Sequence, residues 1–290
     1  MAEMTGEDYY DLGLKYSEEK DYEKAIECFN KAIELGEPLG YNGLGCAYIN
    51  GEGVEKDDVN AYTNFSIGAK LGCVRAMSNL SLCYFYGEGV RQDVALAVQL
   101  FMKLALEHED PDGMCNLGYA YQSGKGITQN YEKAIYWYEK AAAFNQADAL
   151  RNLGCIYYNN VVVPQDLKKA AYYFEKSAEE GNVRAMAALA GLYEFGQGVE
   201  LNKEKAFQWD LKAAQKGHAG SQNKVGLAYA NGKGVEKDYK QAVYWYTLAA
   251  KQGHRDAMAN LGFCYKFGNG VEQDKKLAYY WCDKSGLGWY

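Results

Sequence analysis

Small and apolar residues recur along this chain at helical spacing, and the whole pattern returns about every 36 residues. Residues 225–253, VGLAYANGKGVEKDYKQAVYWYTLAAKQG, show one period. Val225, Gly226 and Tyr229 fall on one stripe of a first helix. The tyrosine recurs as Tyr48, Tyr84, Tyr121, Tyr157, Tyr193, Tyr229 and Tyr265, giving seven copies. Beside it stand Gly45, Gly118, Gly154, Gly226 and Gly262, with Ser81 and Ala190 in the remaining two copies. A position that is always small predicts close approach of two helix backbones. Gly-x-Gly-Val follows, as in Gly232, Gly234 and Val235. It predicts the end of the first helix, because glycine takes positive φ at little steric cost. Asp238 is then the predicted N-cap of a second helix, matched by Asp57, Asp93, Asn130, Asp166, Asn202 and Asp274. That helix carries Ala242, repeated as Ala61, Ala97, Ala134, Ala170, Ala206 and Ala278. Aromatic residues such as Trp137, Tyr138, Tyr173, Phe174, Trp245 and Tyr246 follow one turn later.

A period of this length implies a helical solenoid, not the two globular domains that 290 residues would otherwise suggest. Each unit then buries its apolar edges against its neighbours, and no single central core is expected. The first unit differs. In residues 6–38, Tyr9, Leu12, Gly13, Tyr16, Ala25, Phe29 and Ala32 fall at the spacing of a tetratricopeptide repeat, with Asp21 as the cap of its second helix. From Leu39 onward the motifs are Asn-Leu-Gly-x-x-Tyr, Gly-x-Gly-Val, Asp-Tyr-x-x-Ala and Trp-Tyr-x-x-Ala-Ala. In combination they resemble the Sel-1-like repeats, which are related to the tetratricopeptide repeat. The resemblance implies one tetratricopeptide-type repeat over residues 1–38 and seven Sel-1-like repeats over 39–290, continuous as one solenoid. The expected fold is all-α: sixteen antiparallel helices in a right-handed superhelix, with the first helices lining its concave side. The acidic, polar outer helix of the first unit would cap the stack. The resemblance also implies an adaptor that brings other proteins together.

Three places break the period. Leu80 and Leu117 are 37 residues apart, and the extra residue falls near Glu107–Pro111, where Pro111 would open the next helix. The fourth Sel-1-like unit has Asn159-Asn160-Val161-Val162-Val163-Pro164 in place of the glycine turn. Asn160 tolerates the left-handed conformation, whereas Val162 resists it, so this turn has to be rebuilt. Its Val-Val pair is either a partner contact or a loop repacked on its neighbour. The chain closes on Lys284-Ser285-Gly286-Leu287-Gly288-Trp289-Tyr290 without a polar closing helix. An end of that kind exposes an apolar face, to be covered by further chain, another domain, or end-to-end self-association.

Composition narrows the functional classes. A formal charge of −7 and a pI near 5.2 argue against nucleic acid as a partner. No apolar run reaches the roughly 18 residues of a transmembrane helix, and the acidic start MAEMTGEDYYD lacks the basic and apolar segments of a secretory signal. A cytoplasmic protein is expected. The eight cysteines include no Cys-x-x-Cys and do not recur as pairs, so neither zinc nor a disulfide ladder is indicated. Cys83 and Cys264 precede the repeated tyrosine and read as small buried apolar residues. His218 and His254 are 36 residues apart and read as residues that satisfy helix ends. No nucleophile elbow, HExxH or phosphate loop appears, so neither catalysis nor a cofactor is expected.

A binding surface remains. The residue before the repeated leucine is Asn79, Asn116, Asn152 or Asn260, interrupted by Ala188 and Lys224. By analogy with tetratricopeptide helices this position faces the groove, where an amide row could hold the main chain of an extended peptide. Alternatively each amide bonds the neighbouring repeat and orders the stack. The same inner-facing logic adds Phe85, Tyr119, Gln122, Arg151, Tyr158, Glu194, Phe263 and Lys266 as groove residues. The leading expectation is a non-enzymatic adaptor that binds a peptide or helix of another protein in this groove. One alternative is the β-lactam binding or hydrolysis associated with secreted, cysteine-rich members of the family, whose regular cysteine pairs are missing here. The other is a self-associating structural module.

Overall fold

The sequence folds as the periodicity dictates, because every helix boundary is set by residues within a few positions of it. The computed structural model describes residues 3–160 and 162–286. The chain divides into two compact units, Met1–Phe144 and Asn145–Tyr290. The first unit holds α1 (Gly6–Glu18), α2 (Tyr22–Glu34), α3 (Leu39–Asn50), α4 (Asp58–Lys70), α5 (Val74–Tyr86), α6 (Val94–Glu107), α7 (Pro111–Ser123) and α8 (Tyr131–Ala142). The second holds α9 (Ala147–Asn159), α10 (Leu167–Glu179), α11 (Val183–Phe195), α12 (Lys203–Gln215), α13 (Ala219–Asn231), α14 (Tyr239–Lys251), α15 (Arg255–Phe267) and α16 (Lys275–Ser285). No strand occurs among the described residues, and each unit is an all-α solenoid of paired helices. Each odd-numbered helix packs on the even-numbered helix that follows it, and in the first unit α1, α3 and α5 also touch in succession.

The predicted caps are in place. Asp57, Asp93, Asn130, Asp166, Asn202, Asp238 and Asp274 each accept backbone N–H bonds in the first turn of the second helix of their pair. Their own N–H groups return to the carbonyls of the seven repeated tyrosines at 2.9–3.0 Å, which closes each turn. Asp21 departs from this pattern: its side chain pairs with Lys24 and makes no cap bond. His218 and His254 cap α13 and α15, with Nδ1 accepting from the N–H of Ser221 and Ala257. Pro111 opens α7 behind the N-cap Asp110. In the rebuilt turn Asn160 is left-handed at φ 48°, and its Oδ1 accepts from the N–H of Gln165. Val161, together with the closing residues 287–290, lies outside the described residues.

The two glycines of each turn do different work. Gly124 and Gly126 both sit at φ 71°, yet a Cβ on Gly124 would meet Gln129, nearest at its Cβ at 3.2 Å and with its backbone no closer than 3.7 Å. A Cβ on Gly126 would lie 2.7 Å from the Val94 carbonyl oxygen, at the start of the preceding second helix. The second glycine therefore lets successive repeats approach backbone to backbone. Gly126→Ala is expected to destabilise the protein by roughly 1–3 kcal/mol, and Gly124→Ala by less. Urea unfolding followed by far-UV circular dichroism checks the difference; equal costs would remove the role assigned to the repeat contact.

The core of each unit is built on aromatic rings, most of them lying over a glycine. Phe29, Phe65, Phe101, Tyr138, Phe174 and Tyr246 occupy one register of the second helices, and all are buried. A Cβ on Gly154 would come 2.7 Å from the Phe174 ring, and one on Gly226 would come 2.5 Å from the Tyr246 ring. This is why the position beside the repeated tyrosine must be small. Cys83 and Cys264 are buried thiols, and burial raises both to about 11. Among the described residues no helix is long and apolar enough to cross a membrane, and no group of three or more His, Cys, Asp or Glu side chains is placed to hold a metal ion.

Candidate functional site

The candidate residues sit on the first helix of each pair, all but Arg151 in three registers. The first is the asparagine row. Asn79 donates from Nδ2 to Asn42 Oδ1 at 2.8 Å, and Asn260 donates to Asn223 Oδ1 at 3.0 Å. At these two positions the amide bonds the neighbouring repeat. The acceptors Asn42 and Asn223 are buried, and each stands one residue before a place where the row is interrupted, by Gly43 and by Lys224. That offset was the available signal for them, and a search in strict register misses it. The Asn152 carbonyl accepts from Arg151 Nη2 at 2.7 Å, while Arg151 Nε lies 3.6 Å from Asp148 and has no hydrogen bond among the described residues. Asn116 is half-buried and makes no side-chain hydrogen bond among the described residues.

The second register, three residues further on, contains the exposed aromatics. Tyr119 is 39% exposed and Phe263 is 47% exposed. Both follow the small position and so point away from the core rings. The third register holds Phe85, Gln122, Tyr158, Glu194 and Lys266, of which Phe85 and Gln122 meet the core rings of Phe101 and Tyr138. Phe85 departs from the expected groove role. It is only 2% exposed, packed against Phe101, Tyr86 and Tyr119, and presents almost no surface to a partner. Gln122 Oε1 accepts the Tyr138 phenol at 2.6 Å, Tyr158 OH reaches Gln197 Oε1 at 3.3 Å, and Lys266 lies over Phe267. Four carbonyls of this register, those of Phe85, Gln122, Tyr158 and Lys266, accept side-chain N–H bonds from Gln92, Gln129, Gln165 and Gln273 at 2.7–2.8 Å. The C-terminal turns of α5, α7, α9 and α15 are thereby held in place, and any side chain they display is pre-positioned.

Glu194 stands apart. Its carboxylate is 3.8 Å from Lys224 Nζ, which is also 3.9 Å from Asp210 Oδ2. Asp210 is only 5% exposed and occupies the core aromatic register; its Oδ1 accepts from Ser221 Oγ at 2.6 Å, and Ser221 in turn faces His218 Nδ1. Burial pushes the Asp210 carboxyl up to about 6, with Lys224 and the Ser221 hydrogen bond opposing the shift. Burial, with Lys224, Arg184 and His254 nearby, holds His218 below the usual imidazole range. Glu194, Asp210 and Lys224 border a cavity of about 540 Å³ walled by α11, α12 and α13. The sequence carried a sign of it, since Asp210 breaks a row of rings, but the emptiness itself depends on packing.

A second exposed row was not anticipated. Tyr136, Tyr172, Tyr244 and Tyr280 lie on the outer faces of α8, α10, α14 and α16, and each stacks edge-on against the aromatic residue that follows it. In sequence they are indistinguishable from the packing tyrosines.

Comparison with known proteins agrees with this architecture. The tetratricopeptide repeat profile matches residues 7–36. A Sel1 repeat protein from Oxalobacter formigenes is 31% identical with a TM-score of 0.72, over 84% of this chain and 99% of its own. A protective antigen of uropathogenic Escherichia coli strains displaying an SLR fold is also 31% identical, with a TM-score of 0.69, over 97% of this chain; the match spans 61% of that protein's length. A curated Helicobacter pylori relative, the "Putative beta-lactamase HcpC", is 43% identical over 56 residues, 19% of this chain and 19% of its own. The Sel1 repeat profile itself matches seven consecutive segments, 38–73, 74–107, 111–143, 147–182, 183–218, 219–254 and 255–287, and the chain belongs to the Sel1 repeat family.

Proposed function

We propose that this chain is a non-enzymatic adaptor that takes an extended peptide or helix of another protein on the face formed by the first helices of its repeats. The observation that carries this reading is the exposure of Tyr119 and Phe263, one in each unit, on turns whose backbones are held by the glutamine bonds described above. Rigid aromatic side chains bring large contact area at low entropic cost, and they are the common anchors of protein interfaces. In the first unit Asn116 and Gln122, and in the second Arg151, Asn152, Tyr158 and Lys266, supply polar contacts, with Asn79 and Asn260 giving theirs first to the stack. A cytoplasmic location fits the acidic composition. The outer tyrosine row at Tyr172 and Tyr244 favours a competing face.

Site-specific photocrosslinking separates the two. A benzophenone side chain at position 119 or 263 is expected to trap a partner polypeptide in the native cell, whereas one at 172 or 244 is not. The reverse pattern would transfer the binding role to the outer face. Turnover of a β-lactam by the purified protein, the activity named for the Helicobacter relative, would overturn the non-enzymatic assignment.

A further inference from the structure

Two Sel-1-like repeats lack a ring in this register, the fifth with Asp210 and the seventh with Cys282, and the cavity lies at Asp210. In the third Sel-1-like repeat Tyr138 fills the corresponding space, and its phenol reaches Gln122 at 2.6 Å. In the fifth repeat the residue in register with Tyr138 is Asp210, and the residue in register with Gln122 is Glu194. Both border the opening, whose apolar wall includes Phe195, Phe207, Val225 and Leu227. The acceptor is therefore present, the apolar walls are present, and the ring between them is absent. The small position is Ala190 here, where Gly118, Gly154 and Gly226 lie under rings; Ser81 also carries a Cβ at this position and is buried together with the ring of Phe101, so it is the second helix, through Asp210, that leaves the ring out.

We infer that this slot receives a phenol ring supplied from outside, the tyrosine side chain of a partner polypeptide, with its hydroxyl donated to Glu194 or Asp210. A volume of about 540 Å³ is ample for one ring and lies in the range of small-molecule sites. A neutral donor suits the charges, because Lys224 already lies between the two carboxylates and Lys203 and Lys233 stand at the opening. A bare hydrocarbon ring would leave the buried carboxylate facing it without a new hydrogen bond. Lys224, on the first-helix face, connects the slot with the surface assigned above, and only the polypeptide origin of the ring rests on that assignment.

The test uses p-cresol, the side-chain analogue of tyrosine, and toluene as the ring without a hydroxyl. On the full chain, titration followed by NMR is expected to give saturable p-cresol binding with toluene weaker by about tenfold, the value of one hydrogen bond to a charged group. The double variant Asp210→Tyr with Ala190→Gly refills the slot from within and should abolish binding. Absence of saturable binding, equal binding of the two probes, or undiminished binding by the folded double variant would each overturn the proposal. The probe comparison on the unaltered protein needs no variant to fold. Failure here leaves the crosslinking result at 119 and 263 untouched, and failure there leaves the slot standing with a ligand that is a free phenol.

Discussion

Tyr138→Ala is expected to destabilise the protein by about 3–5 kcal/mol, the usual cost of emptying a large aromatic site in a packed core. The ring is fully buried, lies over Gly118, and gives its hydroxyl to Gln122 at 2.6 Å. Truncation removes the transfer term and the ring contacts, and leaves Gln122 without that donor. Helices on both sides are held by their own caps, so the site can collapse only in part. Repeat arrays can lose two-state behaviour, so the measurement should be residue-resolved hydrogen exchange together with urea unfolding. Protection is expected to fall first in α7 and α8. The variant would also reproduce in the third repeat the vacancy that the fifth repeat has naturally. Addition of p-cresol should therefore raise its melting temperature more than that of the unaltered protein. A cost below 1 kcal/mol would show that the core rings do not carry the stack.

Asp210→Asn is expected to stabilise the protein at pH 8 by roughly 2–3 kcal/mol and to change little at pH 4. Burial disfavours the charged form and pushes the folded-state carboxyl up to about 6, from its ordinary value of 3.8. Between those values the folded state holds more protons than the unfolded state, so the stability contributed by this group falls as pH rises. The penalty is absent below about pH 4 and complete above about pH 7. Asparagine keeps an acceptor for Ser221 and removes the charge. Lys224 on α13 retains Glu194 on α11 at 3.8 Å, and His218 titrates in both proteins, so the difference between their pH profiles isolates Asp210. Urea midpoints at pH 4, 6 and 8 provide the check. A variant less stable than the parent at pH 8 would mean that the 3.9 Å approach of Lys224 outweighs burial. The parent thus carries a buried charge that a ring in this register would avoid, the kind of local cost that proteins retain at working sites.

Most of the fold was legible in the residues. Gly232, Asp238 and Ala242 announce a helix end, a cap and a packing face within eleven positions, and each acts on its own backbone. Local causes repeat wherever the sequence repeats, so helix number, boundaries and pairing follow from the period. The candidate site was legible only in part. Asn79 and Asn260 could be placed in a row, but the atoms that receive their amides, on Asn42 and Asn223, belong to the neighbouring repeat and lie one residue out of register. Phe85 and Tyr119 both passed as groove aromatics; packing buries one and exposes the other, because their registers differ by three residues, about 60° around the helix the short way, and only the contacts of the fold decide which of two such neighbouring directions is covered. Asp210 reads as one acidic residue among 38 acidic side chains. That it stands beside an unfilled space depends on where three helices meet, and distances between repeats are not written in the period of one. The sequence by itself therefore determined the repeating unit, its caps and its family. The tertiary structure alone decided which amides are already engaged, which rings reach solvent, and where a ring is missing.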